Sequence, residues 1–309
     1  MSDVLYLKYR PKTLDEVIGN EDIINVLQSQ LDGKSAQPMP RSILFHGPTG
    51  CGKTTLGRIV AERLGAKGSD LREIDVADFR GIDTIRDIRK QSSYKPLEGK
   101  CRAWILDECH KLTGDAQTAL LKALEDTPSH VYYILCTTDP QKLIATIKGR
   151  CAQFQVSLLS DREMKLLLRK VVKEEGESLQ KEVYSQIVQD SLGHPRNALQ
   201  ILSQVLAVDE DKRIKMAKKT AETQSKTIEL CRALIEGAGW QKISNILKGL
   251  KEEDPEGVRR AVLGYSQAVL LNSQQNDGVA GVMHEFSEPF YNTGYAGLVL
   301  ACYSVLFAD

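Results

Sequence analysis

Ser42-Ile43-Leu44-Phe45-His46-Gly47-Pro48-Thr49-Gly50-Cys51-Gly52-Lys53-Thr54 decides the fold. Residues 42–46 are a short apolar run of strand length. The next eight residues match G-x-x-x-x-G-K-[ST], and Thr54–Leu64 continues with helical periodicity. A glycine-rich turn from a strand into a helix is the setting that this motif requires. Its glycines let the backbone curl so that N–H groups point at phosphate oxygens, and the helix N-terminus adds the positive end of its dipole. Gly47, Pro48, Thr49, Gly50, Cys51 and Gly52 are the candidate phosphate cradle, with Thr55 beside it and Cys51 a filler at a variable position. Lys53 is placed to reach the β- and γ-phosphates of ATP, and the Thr54 hydroxyl to bind Mg²⁺.

Strands and helices alternate outward from this turn. Leu71–Val76 reads as a second strand, and Ile82 and Ile85 begin another helix. Ala103–Leu106 reads as a third strand followed by a helix over Ala116–Leu124, and Val131–Cys136 as a fourth. Such alternation predicts an α/β domain with a parallel sheet covered on both faces, whose site lies at the carboxyl ends of the strands. The third strand runs into Asp107-Glu108. Two adjacent acids there repel one another unless a cation is near. Asp107 fits the metal-side carboxylate, holding Mg²⁺ through water, and Glu108 the base that orients the attacking water.

After about Val156 the strand signal stops. Ser160-Asp161-Arg162-Glu163 is a capping box opening a helix through Val172. Further helices are expected near Leu179–Ser191 and over Arg196–Val208, with Pro195 suited to a first turn. Residues 209–222 are dense in charge and read as a solvated hinge or helix. Helical patterns return over 228–236, 240–250, 255–272 and 295–307, with Asn276-Asp277-Gly278 marking a loop. The expected organisation is an α/β domain over 1–157, a three-helix lid over 158–222 and an all-α C-terminal domain over 223–309.

Composition closes off other classes. The 309 residues are 42% hydrophobic and 27% charged, those of an ordinary globular chain rather than a disordered or collagen-like one. Lys+Arg and Asp+Glu are both 41, which excludes a globally basic nucleic-acid binder but not a local basic surface. No apolar run reaches the length of a membrane span, and MSDVLYLKYRPK has no apolar stretch before its charges, so it does not read as a secretory signal. Seven cysteines without a C-x-x-C pair argue against a disulfide framework or zinc knuckle and for a reducing, cytoplasmic setting.

The motifs together resemble the AAA+ ATPases of clamp loaders, a family that includes the small subunits of replication factor C, the bacterial polymerase III gamma/tau subunit and phage equivalents. Lys8-Tyr9-Arg10-Pro11 with Val17-Ile18-Gly19-Asn20-Glu21 resembles the N-terminal segment that lies over the nucleotide base in that family. Arg80-Gly81-Ile82-Asp83-Thr84-Ile85-Arg86 resembles the RGID helix of replication factor C. Asp107-Glu108-Cys109-His110 matches the acidic box, and Leu112-Thr113-Gly114-Asp115-Ala116-Gln117 the helix after it. Thr137-Thr138-Asp139-Pro140 resembles sensor 1, and Gly193-His194-Pro195-Arg196-Asn197-Ala198-Leu199 sensor 2. The resemblance covers residues 4 to about 206. Two departures stand out. Gly149-Arg150-Cys151 replaces S-R-C, keeping the Arg without the Ser hydroxyl. Residues 65–75 are too short and cysteine-free for the zinc module of bacterial gamma, a feature shared with archaeal, eukaryotic or phage small subunits.

The resemblance implies that Tyr9, Arg10 and Ile18 lie against the nucleotide, that Thr138 touches the γ-phosphate or the water, and that Arg196 couples the lid to bound phosphate. It implies that Arg150 reaches the γ-phosphate of a neighbouring subunit in trans. Arg80, Arg86 and Lys90 are the candidate contacts to the primer–template DNA backbone, with Gln117 and Lys111 linking DNA sensing to Glu108. The implied partners are a sliding clamp and other clamp-loader subunits in a pentamer held by the C-terminal collar, and no membrane. The implied place is the replisome at the nucleoid, or a host cytoplasm for a phage protein. Two rivals remain: a non-catalytic structural subunit of the same assembly, and another AAA+ DNA motor such as a branch-migration helicase.

Overall fold

The computed structural model describes residues 4–224, 226–271, 273 and 275–307. Five strands, β1 (Ser42–His46), β2 (Leu71–Asp75), β3 (Arg102–Asp107), β4 (Val131–Thr137) and β5 (Ala152–Gln155), form one parallel sheet in the order β2-β3-β4-β1-β5. The central strands are nearly continuous buried runs, as a parallel sheet covered on both faces demands. Strand alternation divides their side chains between two cores. Ile43, Phe45, Ile105 and Ile134 pack with α2 (Glu21–Leu31) and α3 (Lys53–Leu64). Leu44, Trp104, Leu106, Tyr133 and Leu135 pack with α4 (Ile82–Ser92) and α5 (Gly114–Glu125).

The chain divides into two compact units. One is Leu7–Glu163, and the other holds the described residues from Met164 to Phe307 together with Val4–Tyr6, which include part of the single turn α1 (Leu5–Lys8). In the first unit, four strands match the expected ones to within a residue or two. Two elements do not. β5 was not expected, because Ala152-Gln153-Phe154-Gln155 is short and half polar; it forms by pairing along the free edge of β1, with Leu44 opposite Gln153. The segment before it, for which no element was expected, closes as α6 (Ala145–Arg150), so Arg150 ends a helix.

Where residues 65–75 are short, a buried acid organises the chain. Asp70 accepts from the backbone N–H groups of Leu97, Glu98 and Gly99 at 2.7–3.0 Å and from Arg102 Nη2 at 3.1 Å. Burial alone pushes this carboxyl up, but three backbone donors and a guanidinium outweigh it and hold it well below the usual range. Asp70→Ala should destabilise this unit by about 3–5 kcal/mol, since Arg102 is left buried without its partner. The folded carboxyl is depressed, so its contribution is present above the unfolded value of about 3.9 and lost as pH falls below it. Thermal melts of wild type and variant from pH 7 to pH 3 check this: the gap between them should narrow on acidification.

In the second unit α7 (Asp161–Glu174), which begins just before the division, opens on the expected capping box: Ser160 N donates to Glu163 at 2.7 Å and Glu163 N to the Ser160 hydroxyl at 3.4 Å. Helices α8 (Lys181–Ser191), α9 (Pro195–Leu206), α10 (Arg213–Gln224), α11 (Lys226–Ile235), α12 (Trp240–Gly249), α13 (Pro255–Leu271), α14 (Asp277–Glu285) and α15 (Gly294–Phe307) follow. The charged stretch is helical as α10. The expected helix over 255–272 is seen to Leu271, and residue 272 lies outside the described residues. Asn276-Asp277-Gly278 is corrected from a loop to a helix start, because the Asn276 side chain accepts from Val279 N at 3.1 Å and caps α14. A buried ion pair joins α8 to α11: Arg232 donates to Asp190 at 2.5 Å, with the Tyr265 hydroxyl of α13 beside both. Burial pushes the Asp190 carboxyl up, against the opposing pull of Arg232.

Candidate nucleotide site

The sheet order makes β3, β4 and β1 neighbours, so the loops leaving their carboxyl ends converge. The turn after β1 is built on Gly47, whose φ is +148°; a Cβ there would run into the Val156 carbonyl. Gly52, at φ +107°, starts α3. Both positions need backbone that other residues adopt only with strain. Lys53 is 5% exposed, and its ammonium donates to the loop's own carbonyls, Gly47 at 2.9 Å and Pro48 at 2.7 Å. The charge is thereby folded over the mouth of the turn rather than left in solvent. Gly50 turns at φ +72°, Pro48 and Thr49 are exposed, and Cys51 is buried with its thiol pushed up by burial, which makes it unreactive.

The expected metal pair is brought together. The Thr54 hydroxyl donates to Asp107 Oδ2 at 2.7 Å, across the interval between α3 and β3. Among the described residues no cluster of three or more His, Cys, Asp or Glu ligands forms. One hydroxyl and one carboxylate suit Mg²⁺, which keeps waters and shares substrate phosphates instead of entering an all-protein cage. Thr54 and Asp107 would hold it, and the ion would supply neutralisation of phosphate charge.

Glu108 adopts a left-handed backbone, φ +51°, uncommon for a non-glycine residue. That turn directs the chain into a short 3₁₀ segment, Cys109–Lys111, with Lys111 N bonded to the Glu108 carbonyl at 2.9 Å. The Thr138 hydroxyl, just past β4, donates to Glu108 Oε2 at 3.0 Å. Thr138, expected to touch phosphate or water, is thus bonded to the candidate base in this structure. Two more residues lie here, His110, which had no expected role, and Gln117, expected with Lys111 to link DNA sensing to Glu108. His110 Nδ1 lies 3.2 Å from Glu108 Oε2 and 3.0 Å from the Thr137 hydroxyl. Gln117 is buried and ties the loop before α5 to the segment after β4, donating to Leu112 O and Lys142 O and accepting from Ile144 N. The acidic-box pattern was the only sequence signal for His110.

The other expected site residues are placed as follows. Arg10 Nε donates to the Thr55 hydroxyl at 2.9 Å, so the N-terminal segment meets the phosphate-loop helix. Tyr9 and Ile18 are half-buried, with the Lys8 ammonium 5.3 Å from the Tyr9 ring centre. Asn20 holds the strand exit after β5 by a two-way bond with Ser157. Arg80, Arg86 and Lys90 are exposed on or beside α4, and Arg86 pairs with Asp83 at 3.0 Å. Arg150 has a partner in its own chain, Glu125, and a second in Thr146 O at 3.1 Å. Arg196 is in the other unit, exposed, with its guanidinium 5.9 Å from the Tyr6 ring centre.

Residues 66–160 match the family described as DNA polymerase III, delta subunit. The gamma/tau subunit of DNA polymerase III from Mycobacterium bovis is 35% identical over 226 residues, which is 66% of this chain and 39% of that protein. The tau subunit from Escherichia coli is 31% identical over 225 residues, 66% of this chain and 34% of that protein. By sequence, this chain is similar to subunits of DNA polymerase III. It spans at most about two fifths of those two relatives' length. Both relatives are bacterial gamma/tau proteins rather than the archaeal, eukaryotic or phage small subunits suggested by the short segment at 65–75. Among solved structures, the Thermotoga maritima RuvB Holliday junction branch migration motor matches with a TM-score of 0.60 at 20% identity, over 79% of this chain and 86% of that one. At that identity the likeness speaks for the fold alone.

Proposed function

We propose that this chain is an ATPase subunit of a sliding-clamp loader. The observation that carries the reading is the meeting of Thr54 and Asp107 at 2.7 Å in front of a glycine-built phosphate turn, with Glu108 next in sequence. Lys53 leaves its loop carbonyls for the β- and γ-phosphates, exchanging two neutral acceptors for charged ones. Glu108 accepts a proton from the attacking water while Thr138 holds its carboxylate. Tyr9, Arg10 and Ile18 lie against the nucleotide, Arg196 contacts bound phosphate, and Arg150 completes the site of a neighbouring subunit. Binding of ATP and Mg²⁺ opens a clamp and grips primer–template DNA through Arg80, Arg86 and Lys90, and hydrolysis releases it. The exposed Arg86–Asp83 pair is worth at most about 1 kcal/mol, so a phosphate can displace it. Residues 158–222 act as the lid and 223–309 as the collar of a pentamer, working at the replisome in the cytoplasm. The intact set of Lys53, Thr54, Asp107 and Glu108 favours this over a non-catalytic subunit.

Lys53→Ala should weaken ATP binding about 10- to 150-fold, the equivalent of one charge-assisted bond of about 1.5–3 kcal/mol. Equilibrium titration with a fluorescent ATP analogue reads it, and an unchanged affinity would count against the phosphate-loop role. Turnover measured with and without clamp and primed DNA, for the chain alone and with candidate partner subunits, tests the assignment to a clamp loader.

A further inference from the structure

The two oxygens of Glu108 are not equivalent. Oε2 lies 3.0 Å from the Thr138 hydroxyl and 3.2 Å from His110 Nδ1, whereas Oε1 has no hydrogen bond to any described residue. The His110 ring is fixed in turn. Its Nδ1 also lies 3.0 Å from the hydroxyl of Thr137, a fully buried residue whose oxygen receives Asp139 N at 3.0 Å. A neutral imidazole carries one N–H, and an ionised carboxylate only accepts. With a carboxylate oxygen 3.2 Å away, the proton is assigned to Nδ1, which is hydrogen-bonded to Thr137 and presents its polar edge to Glu108 in close electrostatic contact. Burial disfavours the charged ring, against the pull of Glu108, so the neutral donor is the form at hand.

We propose that His110 is a positioning residue for ATP hydrolysis: with Thr138 it pins Oε2 of Glu108 to the end of β4 and leaves Oε1 as the oxygen that takes the water's proton. The inference rests on the reading of Glu108 as the base. A carboxylate swung about its last torsion presents the wrong oxygen, and a misplacement of about 1 Å can cost on the order of 100-fold in rate. The role belongs to one atom of the ring, which separates it from mere filling of space. An asparagine places its amide nitrogen near the position of Nδ1, whereas a glutamine reaches toward that of Nε2.

The test compares H110A, H110N, H110Q and E108Q as full-length chains in the assembly that gives wild-type turnover with clamp and primed DNA. Each is measured for kcat, for KM and for the Kd of ATP. H110A and H110Q should lose about 10- to 100-fold in kcat with the Kd of ATP unchanged, and H110N should keep most of the wild-type kcat. The N/Q pair remains decisive if H110A fails to fold. Equal kcat in H110N and H110Q, undiminished kcat in H110A, or a loss seen in Kd instead of kcat overturns the proposal. If E108Q abolishes turnover and the His110 variants do not, the proposal alone fails. If E108Q turns over normally, or wild type never does, the Glu108 reading fails and takes this inference with it.

Discussion

Glu108→Gln should leave ATP binding intact and lower turnover by about 10²–10⁴-fold, the usual contribution of a positioned general base. Glutamine keeps the shape of the side chain, and its carbonyl oxygen can still accept the Thr138 hydroxyl that bonds Oε2 at 3.0 Å in the wild type. What it loses is the capacity to take a proton. The Thr54–Asp107 contact and the loop carbonyls that hold Lys53 do not involve the Glu108 side chain, so the phosphate and metal positions are untouched. The variant should accumulate nucleotide as unhydrolysed ATP, which quenched-flow separation of bound ATP from ADP reads directly. Turnover within a few-fold of wild type would place the base elsewhere; loss of ATP affinity would mean that Glu108 holds the site together rather than acting on water.

Much of this site was legible in the sequence because its parts are local. A phosphate loop is contiguous, and its glycines, lysine and threonine are adjacent by necessity. An apolar strand ending in Asp107-Glu108 is also a local pattern, and so are the capping box of α7 and Pro195 in the first turn of α9. What the sequence did not display depends on distant pairing. Ala152–Gln155 has little strand character of its own and becomes a strand only because β1 offers a free edge. The Asn276 cap looks the same as a loop until the helix after it packs, and Val279 and Val282 of that helix are buried. His110 could not be singled out from spacing, because the residue that fixes its ring, Thr137, is contributed by β4. The left-handed turn at Glu108 is invisible for the same reason: nothing in the residue type favours it, and the surrounding contacts impose it.

Arg150→Ala should spare ATP binding in the isolated chain and lower turnover of the assembly by about 10³–10⁵-fold, the range seen when a guanidinium supplied in trans is removed. The side chain is partly exposed at the end of α6, held by Thr146 O and by an ion pair with Glu125. Such a pair is worth about 0–1 kcal/mol, too little to keep the guanidinium from a triphosphate that offers several anionic oxygens. Glu125 and Thr146 also orient the residue from its own helix and from α5, supplying anchorage that does not require the hydroxyl missing at Gly149. Removing the side chain should hardly change stability, so a melting curve close to wild type accompanies the loss of turnover. Arg150→Lys should not restore the rate, because a lysine ammonium lacks the planar fork that binds phosphate oxygens in pairs. The trans role has its own control: in assemblies mixing variant and wild-type chains, hydrolysis should return at those sites that face a wild-type neighbour. A variant impaired as an isolated chain, or one that wild-type neighbours cannot rescue, would place Arg150 in its own site instead.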